Sequence, residues 1–272
     1  MSSQTLIAIG DSCGPPNRNP GAADIAALAT RFVTADPATR ILLLGDNAYN
    51  RGSSRDYTDF YEPVLGIPLL KSRTHPCPGN HDYKSDGGAA YFRTFGAAAG
   101  SPTQSFYSFD LDCGWHVVSL NTEIEHDEDS PQVMWLRQDL ATRKQPAILG
   151  FWHRPRWGSG GHRGSKKPRW FWRELYKHRA EVVLCGHSHH YEQFLPQNPD
   201  QAADPEGIRQ FIVGCSGRKL KGRTTYTPNS EVADFTHFGL LKLVLTPAQY
   251  EWQFVATDGI AVVSGVSPTN PH

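Results

Sequence analysis

The chain has 272 residues with 27 Lys or Arg and 27 Asp or Glu, so its formal net charge is zero. A neutral chain has no global positive field, which argues against nucleic acid as a partner. Five dispersed cysteines argue against a disulfide framework, and no apolar run approaches the length of a membrane span. We therefore expect a single cytoplasmic domain over residues 1–272, with no membrane and no obligate protein partner.

Four segments have the composition and spacing of helices, namely residues 20–36, 53–65, 130–143 and 168–179. In the first, apolar residues recur at helical spacing from Ile25 to Val33. In the third, Ser130 is a cap and Pro131 occupies the first helical position.

Short apolar runs lie between these helices, at residues 6–9, 41–44, 147–152 and 181–185. They do not alternate with polar residues, which is typical of strands that are buried on both faces. Residues 105–111 and 114–121 predict a hairpin, and further strand patterns follow at residues 207–217, 237–246, 249–257 and 259–265. Alternating strands and helices predict an α/β fold.

Side chains of the metal-ligand type stand at the ends of five strand-like segments. They are Asp11; Asp46 with Tyr49; Asn80, His81 and Asp82; His153; and His187 with His189. One such Asp or His, taken alone, is more often a turn, cap or surface residue. In α/β sheets, however, ligand groups gather beyond the carboxyl ends of the strands, so the joint pattern predicts one site.

The motifs that carry these residues are G-D (10–11), G-D-N-A-Y (45–49), G-N-H-D (79–82), W-H-R-P (152–155) and G-H-S-H-H-Y-E (186–192). Together they resemble the calcineurin-like metallophosphoesterases, over about residues 6–217. Tyr49 and the trailing Tyr-Glu resemble the purple acid phosphatase branch in particular. The resemblance implies a fold of two facing mixed β-sheets flanked by helices.

The resemblance also implies two metal ions that share Asp46 as a bridging ligand. One ion would be held by Asp11, Asp46, Tyr49 and His189, and the other by Asp46, Asn80, His153 and His187. Imidazoles and carboxylates suit zinc, iron and manganese, whereas a phenolate favours a trivalent ion. We therefore expect Fe(III) paired with a divalent ion, which would be Fe, Zn or Mn.

One position departs from the branch pattern. Cys13 stands where purple acid phosphatases usually have Gly and where other metallophosphoesterases have a His ligand. It is a small packing residue, a neighbour of the metal, or a thiolate ligand. We favour the packing residue because Tyr49 already fills the ligand position.

The expected reaction is hydrolysis of a phosphate monoester by a metal-bound hydroxide. The expected substrate is a small phosphorylated molecule. His81 is the expected proton donor to the leaving group, with Asp82 orienting its ring and raising its pKa. His162 is a second candidate for that role. Arg154 and Arg156 are candidates for contact with phosphate or a substrate tail.

Two other functions remain open. The same metal core supports a phosphodiesterase or a nucleotide pyrophosphohydrolase. A catalytically silent scaffold is less expected, because such relatives would lose metal ligands. Trp157 and the W-F-W run at 170–172 are more often core than pocket, and the acidic run at 123–129 is expected to be a solvated loop.

Overall fold

The computed structural model describes residues 2–270 as two β-sheets packed face to face, with helices on both outer sides. The strands are β1 (Gln4–Ile9), β2 (Arg40–Leu44), β3 (Thr74–Cys77), β4 (Tyr107–Leu111), β5 (Trp115–Ser119), β6 (Ala147–Trp152), β7 (Val182–Cys185), β8 (Tyr191–Phe194), β9 (Arg209–Val213), β10 (Ser230–Asp234), β11 (Gly239–Leu245), β12 (Gln249–Ala256) and β13 (Ala261–Pro268). One sheet has the order β13-β12-β11-β1-β2-β3 and the other β10-β8-β9-β7-β6-β5-β4. This is the fold that the resemblance implied.

The α-helices are α1 (Ala22–Ala35), α2 (Ser54–Asp56), α3 (Pro68–Lys71), α4 (Ala89–Phe95), α5 (Pro131–Thr142) and α6 (Arg169–Lys177). A π-helix (Tyr57–Tyr61) and two 3₁₀ turns (Asp86–Gly88 and Gly96–Ala99) complete the helical segments of the described chain. Predicted helices at 20–36, 130–143 and 168–179 are confirmed.

The segment 53–65 is only partly the helix that was predicted. Ser53 forms a capping box with Asp56, but α2 is a single turn that continues as the π-helix. Helices α3 and α4 and strands β8 and β10 were not predicted.

Strands near the centre of each sheet are buried on both faces, as their unbroken apolar runs predict. In β1, Leu6 and Ala8 face the opposite sheet, whereas Ile7 and Ile9 lie under the outer helices. Burying one such aliphatic side chain contributes about 1.5–3 kcal/mol. The apolar runs therefore stabilise both the core between the sheets and the layers outside them.

The strand directions bring five carboxyl ends to one end of the sandwich. Strands β1, β2 and β3 run parallel in the first sheet, and β6 and β7 run parallel in the second. The loops meet at this end, where the backbone nitrogen of Asp11, after β1, donates to the carbonyl of Gly45, after β2, and the backbone nitrogen of His187, after β7, donates to the Asp11 carboxylate.

All five cysteines are unpaired and buried. None of the helices in residues 2–270 has the length and apolar character needed to cross a membrane.

A buried histidine ties the β4–β5 hairpin to α5. Nδ1 of His116 lies 2.7 Å from Asp110, and Nε2 lies 2.8 Å from Asp139. Burial lowers the pKa of His116, but the hydrogen bonds to Asp139 and Asp110 outweigh it and raise the pKa above its ordinary value. The protonated imidazole donates to both carboxylates.

This arrangement predicts pH-dependent stability. A raised pKa in the folded state stabilises the protein below about pH 6.5, and the contribution is lost as the pH rises through the raised folded-state pKa. We expect His116→Gln to lower the free energy of unfolding by about 1–3 kcal/mol at pH 5.5, and by less at pH 9. Urea unfolding at both pH values measures this. His126→Gln is the control, since no carboxylate pairs with His126 in the described chain. An equal loss of stability at both pH values would contradict a protonated His116 that donates to Asp110 and Asp139.

Candidate metal centre

Three of the predicted ligands have a left-handed backbone conformation. Asp11 (φ 58°), Asp46 (φ 52°) and His187 (φ 67°) follow β1, β2 and β7. Asp and His tolerate this conformation better than most residues, although it still costs free energy. Such strain concentrates at functional sites, because there the side chain must turn sharply away from the strand.

Two glycines allow the loops to approach closely. A Cβ atom on Gly45 (φ 86°) would lie 2.7 Å from Nδ1 of His153, and one on Gly79 would lie 2.3 Å from the backbone nitrogen of Asp46. Glycine is therefore needed at these two motif positions, because a Cβ atom would clash with the neighbouring loop.

The first group of ligand-type atoms surrounds a phenol. The Tyr49 hydroxyl lies 2.7 Å from Oδ1 of Asp11 and 2.9 Å from Oδ2 of Asp46. Nε2 of His189 lies 3.5 Å from the same Asp11 oxygen. Burial raises the pKa of the Tyr49 hydroxyl well above its ordinary value, and the two carboxylates raise it further.

The second group adjoins it through the other oxygen of Asp46. Nε2 of His153 lies 3.4 Å from Oδ1 of Asp46, 3.3 Å from the amide oxygen of Asn80 and 3.1 Å from Nδ1 of His187. One ligand atom from each of Asp46, His153 and His187 lies within 4.8 Å of the other two. The structure thus brings all seven predicted ligands together, with Asp46 between the two groups.

Hydrogen bonds behind the site orient two of its imidazoles. Nδ1 of His153 donates to the Leu44 carbonyl at 2.9 Å, and Nδ1 of His189 donates to the Lys219 carbonyl at 3.2 Å. Each bond directs Nε2 at the cluster, so that this atom offers a lone pair to a metal ion once it is deprotonated, which is how metal-binding histidines are usually held.

The electrostatic field of the cluster favours cations. Burial lowers the pKa of His153, but the neighbouring Asp46 carboxylate outweighs burial and raises it to about 9. The field that holds a proton on a buried imidazole also attracts a metal cation. Oxygen and imidazole donors in this number therefore fit a pair of transition-metal ions.

The cluster opens into a cavity of about 660 Å³. Its walls are formed by Asn17, Arg18, Asp46, Asn80, His81, His162, His187, His189, Arg218, Lys219, Leu220 and Lys221. The four basic residues of this wall were not predicted. The sequence carried one signal for three of them: Arg218, Lys219 and Lys221 fall within four residues, shortly after a strand.

The expected partnership between His81 and Asp82 is wrong. Asp82 is fully buried and accepts hydrogen bonds from Tyr57, Gly79 and Asn47 instead. It therefore holds the loops after β2 and β3 against each other. Its own pKa is raised to about 6 by burial and by the nearby Asp46 charge.

His81 lies at the cavity, oriented by other groups. Nδ1 donates to the Asn50 carbonyl, while Nε2 lies 3.9 Å from Oδ2 of Asp46 and 2.9 Å from Nζ of Lys84. The pKa of His81 is lowered, chiefly by burial, and not raised as expected.

His162 also lines the cavity. Its ring centroid lies 4.7 Å from that of His187, and its Nε2 lies 2.6 Å from Nζ of Lys221. Burial, followed by the Lys221 charge, lowers its pKa to about 4.

Two other candidates lie in different surroundings. Cys13 belongs to the apolar cluster on the outer side of the first sheet, which agrees with a packing role. Arg156 donates to the backbone of Ser165 and lies over the Trp157 ring, outside the walls of the cavity.

Arg154 lies beside a proposed ligand and is held by an acid. Its guanidinium lies 3.0 Å from Nε2 of His187 and donates to the Glu123 carboxylate at 2.6 Å. Glu123, whose side chain is only 8% exposed, also pairs with Lys167, so this end of the acidic run is not a solvated loop.

Trp157, Phe171 and Trp172 belong to the core outside the second sheet.

The fold has two facing mixed sheets, and its strand ends direct Asp, Asn, Tyr and His side chains at one cavity. These features define a metallophosphoesterase-type domain. The chain belongs to the calcineurin-like phosphoesterase family, whose model matches residues 5–191. This match confirms the resemblance found in the motifs. At the level of the family, it also confirms the class of protein, a metal-dependent phosphoesterase.

Sequence relatives agree with the purple acid phosphatase branch. The chain is 29% identical over 229 residues to probable purple acid phosphatase 20 of Arabidopsis thaliana, covering 72% of this chain and 52% of that protein. It is 25% identical over 225 residues to tartrate-resistant acid phosphatase type 5 of Sus scrofa, covering 71% and 66%. The chain spans about half the length of the first of these curated relatives.

Solved structures agree on the fold. Purple acid phosphatase PPD1 from yellow lupin (Lupinus luteus) seeds superposes with a TM-score of 0.85 at 18% identity, covering 99% of this chain and 54% of that one. The GAP50 anchor of the Plasmodium inner membrane complex superposes with a TM-score of 0.75 at 14% identity, covering 100% and 90%.

Proposed function

We propose that this protein hydrolyses a phosphate monoester at a binuclear metal centre. The observation that carries the proposal is the convergence of seven ligand-type side chains from five strand ends on one cavity. A small phosphorylated molecule is the proposed substrate, with no requirement for nucleic acid or a protein partner. A cytoplasmic location stays a prediction.

Asp11, Asp46, Tyr49 and His189 would hold one metal ion, and Asp46, Asn80, His153 and His187 the other. Fe(III) beside Tyr49 with divalent Fe, Zn or Mn at the second position is the pair that these donors favour. Bound ions of this kind supply a nucleophile at neutral pH and neutralise the charge on the phosphoryl group.

The chain's own residues supply positioning and proton transfer. Because Nδ1 of His81 donates to Asn50, Nε2 is the ring atom that would exchange a proton with a leaving oxygen in the cavity, where the Lys84 ammonium 2.9 Å away competes for it. His162 faces the same space, since its ring lies beside those of His187 and His189. Both are proposed catalytic residues, with His81 first because it adjoins Asp46.

A silent scaffold is the rival from another class. Relatives by sequence include one named probable inactive purple acid phosphatase 27, at 23% identity over 237 residues. The complete set of donors in this chain favours the enzyme, because a scaffold needs neither oriented imidazoles nor strained carboxylates.

Hydrolysis of two model esters tests the proposal. Metal-loaded protein is expected to release 4-nitrophenol from 4-nitrophenyl phosphate faster than from bis(4-nitrophenyl) phosphate. Asp46→Asn should lower kcat/KM for the monoester by about 100-fold or more, since Asp46 is common to both metal positions. Asp127→Asn, an exposed acid away from the cavity, is the control. Faster cleavage of the diester would favour the phosphodiesterase, and no cleavage of either would favour the scaffold.

The metal pair is tested by elemental analysis with a visible spectrum. Protein from iron-replete medium is expected to contain two metal ions and to show a phenolate-to-iron absorption band. Tyr49→Phe should abolish the band because it removes the phenolic oxygen. A Tyr57→Phe control, which alters a buried phenol bonded to Asp82, should keep it. A colourless iron-containing wild type would contradict a Tyr49–iron bond.

His81→Ala tests the proton donor. We expect kcat for 4-nitrophenyl phosphate to fall by about 10²–10⁴-fold, the usual contribution of a positioned acid or base. Both metal ions should remain, because the imidazole of His81 is not a proposed ligand. His178→Ala, at the C-terminal cap of α6 and outside the walls of the cavity, should leave kcat unaltered. Full turnover in His81→Ala would sink this role.

A further inference from the structure

The wall of the cavity is strongly asymmetric in charge. Among its twelve residues, Asp46 is the single acid, whereas Arg18, Arg218, Lys219 and Lys221 are basic. No carboxylate in residues 2–270 forms an ion pair with any of these four. In a chain with no net charge, this concentration of unpaired cations is local to the cavity.

Arg218 is held in place by neutral groups. Its guanidinium donates to the side-chain oxygens of Asn19 at 3.0 Å and Asn50 at 3.2 Å, and lies 4.3 Å from the centroid of the Tyr49 ring. Asn19 is itself buried and donates to the Ser12 carbonyl. These contacts orient the guanidinium without neutralising its charge.

Lys221 is fixed in a similar way. Its backbone nitrogen donates to the carbonyl of His189, and its ammonium donates to Nε2 of His162 at 2.6 Å. Arg18 lies in the exposed loop opposite, where its carbonyl accepts from the backbone nitrogen of Lys219. Three cations therefore line one cavity, although like charges repel.

Neither Arg218 nor Lys221 makes a hydrogen bond to any proposed metal ligand through its side chain. Arg218 lies over the face of Tyr49 and not beside its hydroxyl, and the Lys221 ammonium donates to His162. A phosphoryl group at the ligand cluster would thus leave these two cations available for another anionic group of the same substrate.

We propose that Arg218 and Lys221, with Arg18 at the rim, form a subsite for a second phosphoryl group of the substrate. A planar guanidinium and an ammonium together match a dianion, whereas one carboxylate would be satisfied by Arg218 alone. The inference rests on the proposed function and narrows it to substrates with two phosphoryl groups, such as a diphosphate.

Binding to the metal-loaded protein tests the subsite without any turnover. Dissociation constants are measured by calorimetry for inorganic phosphate, methylenediphosphonate and phosphonoacetate, which has a carboxylate in place of the second phosphoryl group. Arg218→Gln and Lys221→Gln should each raise the dissociation constant for methylenediphosphonate by about tenfold. The dissociation constant for phosphate should rise by less than about threefold. Lys144→Gln, an exposed lysine at the opposite end of β6, is the control for the loss of one charge and should change neither.

The outcomes separate the two proposals. If methylenediphosphonate binds all four proteins with the same preference over phosphate, the subsite is refuted. If the two variants weaken the binding of phosphonoacetate as much as that of methylenediphosphonate, the second group is not specifically a phosphoryl group. Lys221 is exposed, so its variant remains informative if Arg218→Gln does not fold. Failure of the wild type to cleave either nitrophenyl ester would refute the hydrolytic function and leave this binding result standing.

Discussion

The site depends on the burial of two carboxylates against one phenol. Asp11 and Asp46 are at most 1% exposed, and both lie within hydrogen-bond distance of the Tyr49 hydroxyl. A single phenolic proton can be donated to only one carboxylate oxygen at a time. Burying uncompensated charge costs several kcal/mol per ion. The fold must therefore provide positive charge here, and protonated imidazoles or metal cations are the groups that can supply it.

Much of this site could be predicted from sequence because its geometry follows from local patterns. Unbroken apolar runs predict strands that are buried on both faces, and such strands in α/β folds direct their carboxyl ends to a common edge. The residue that follows each run is then a candidate ligand. That reasoning found Asp11, Asp46 and His153 although they are far apart in the chain. The arrangement as two facing sheets came from the family resemblance and not from the patterns.

What could not be predicted depends on long-range contacts. Adjacency suggested that Asp82 orients His81, but consecutive side chains outside helices point in different directions. Asp82 turns inward to three donors, two of which lie 25 and 35 residues away in sequence. The wall formed by Arg18 and Arg218 joins segments separated by 200 residues, and no local pattern signals that contact. Strands β8 and β10 were missed because neither contains an unbroken apolar run.

The metal ligands and the basic wall are physically linked through the ring of Tyr49. Its hydroxyl faces Asp11 and Asp46, and its face carries the Arg218 guanidinium. A cation over an aromatic face draws on the same electron density that a phenolate offers to a metal. Residues in contact rarely contribute independently. The affinity for a second anionic group and the electronic character of the metal position are therefore expected to vary together, because one side chain separates them.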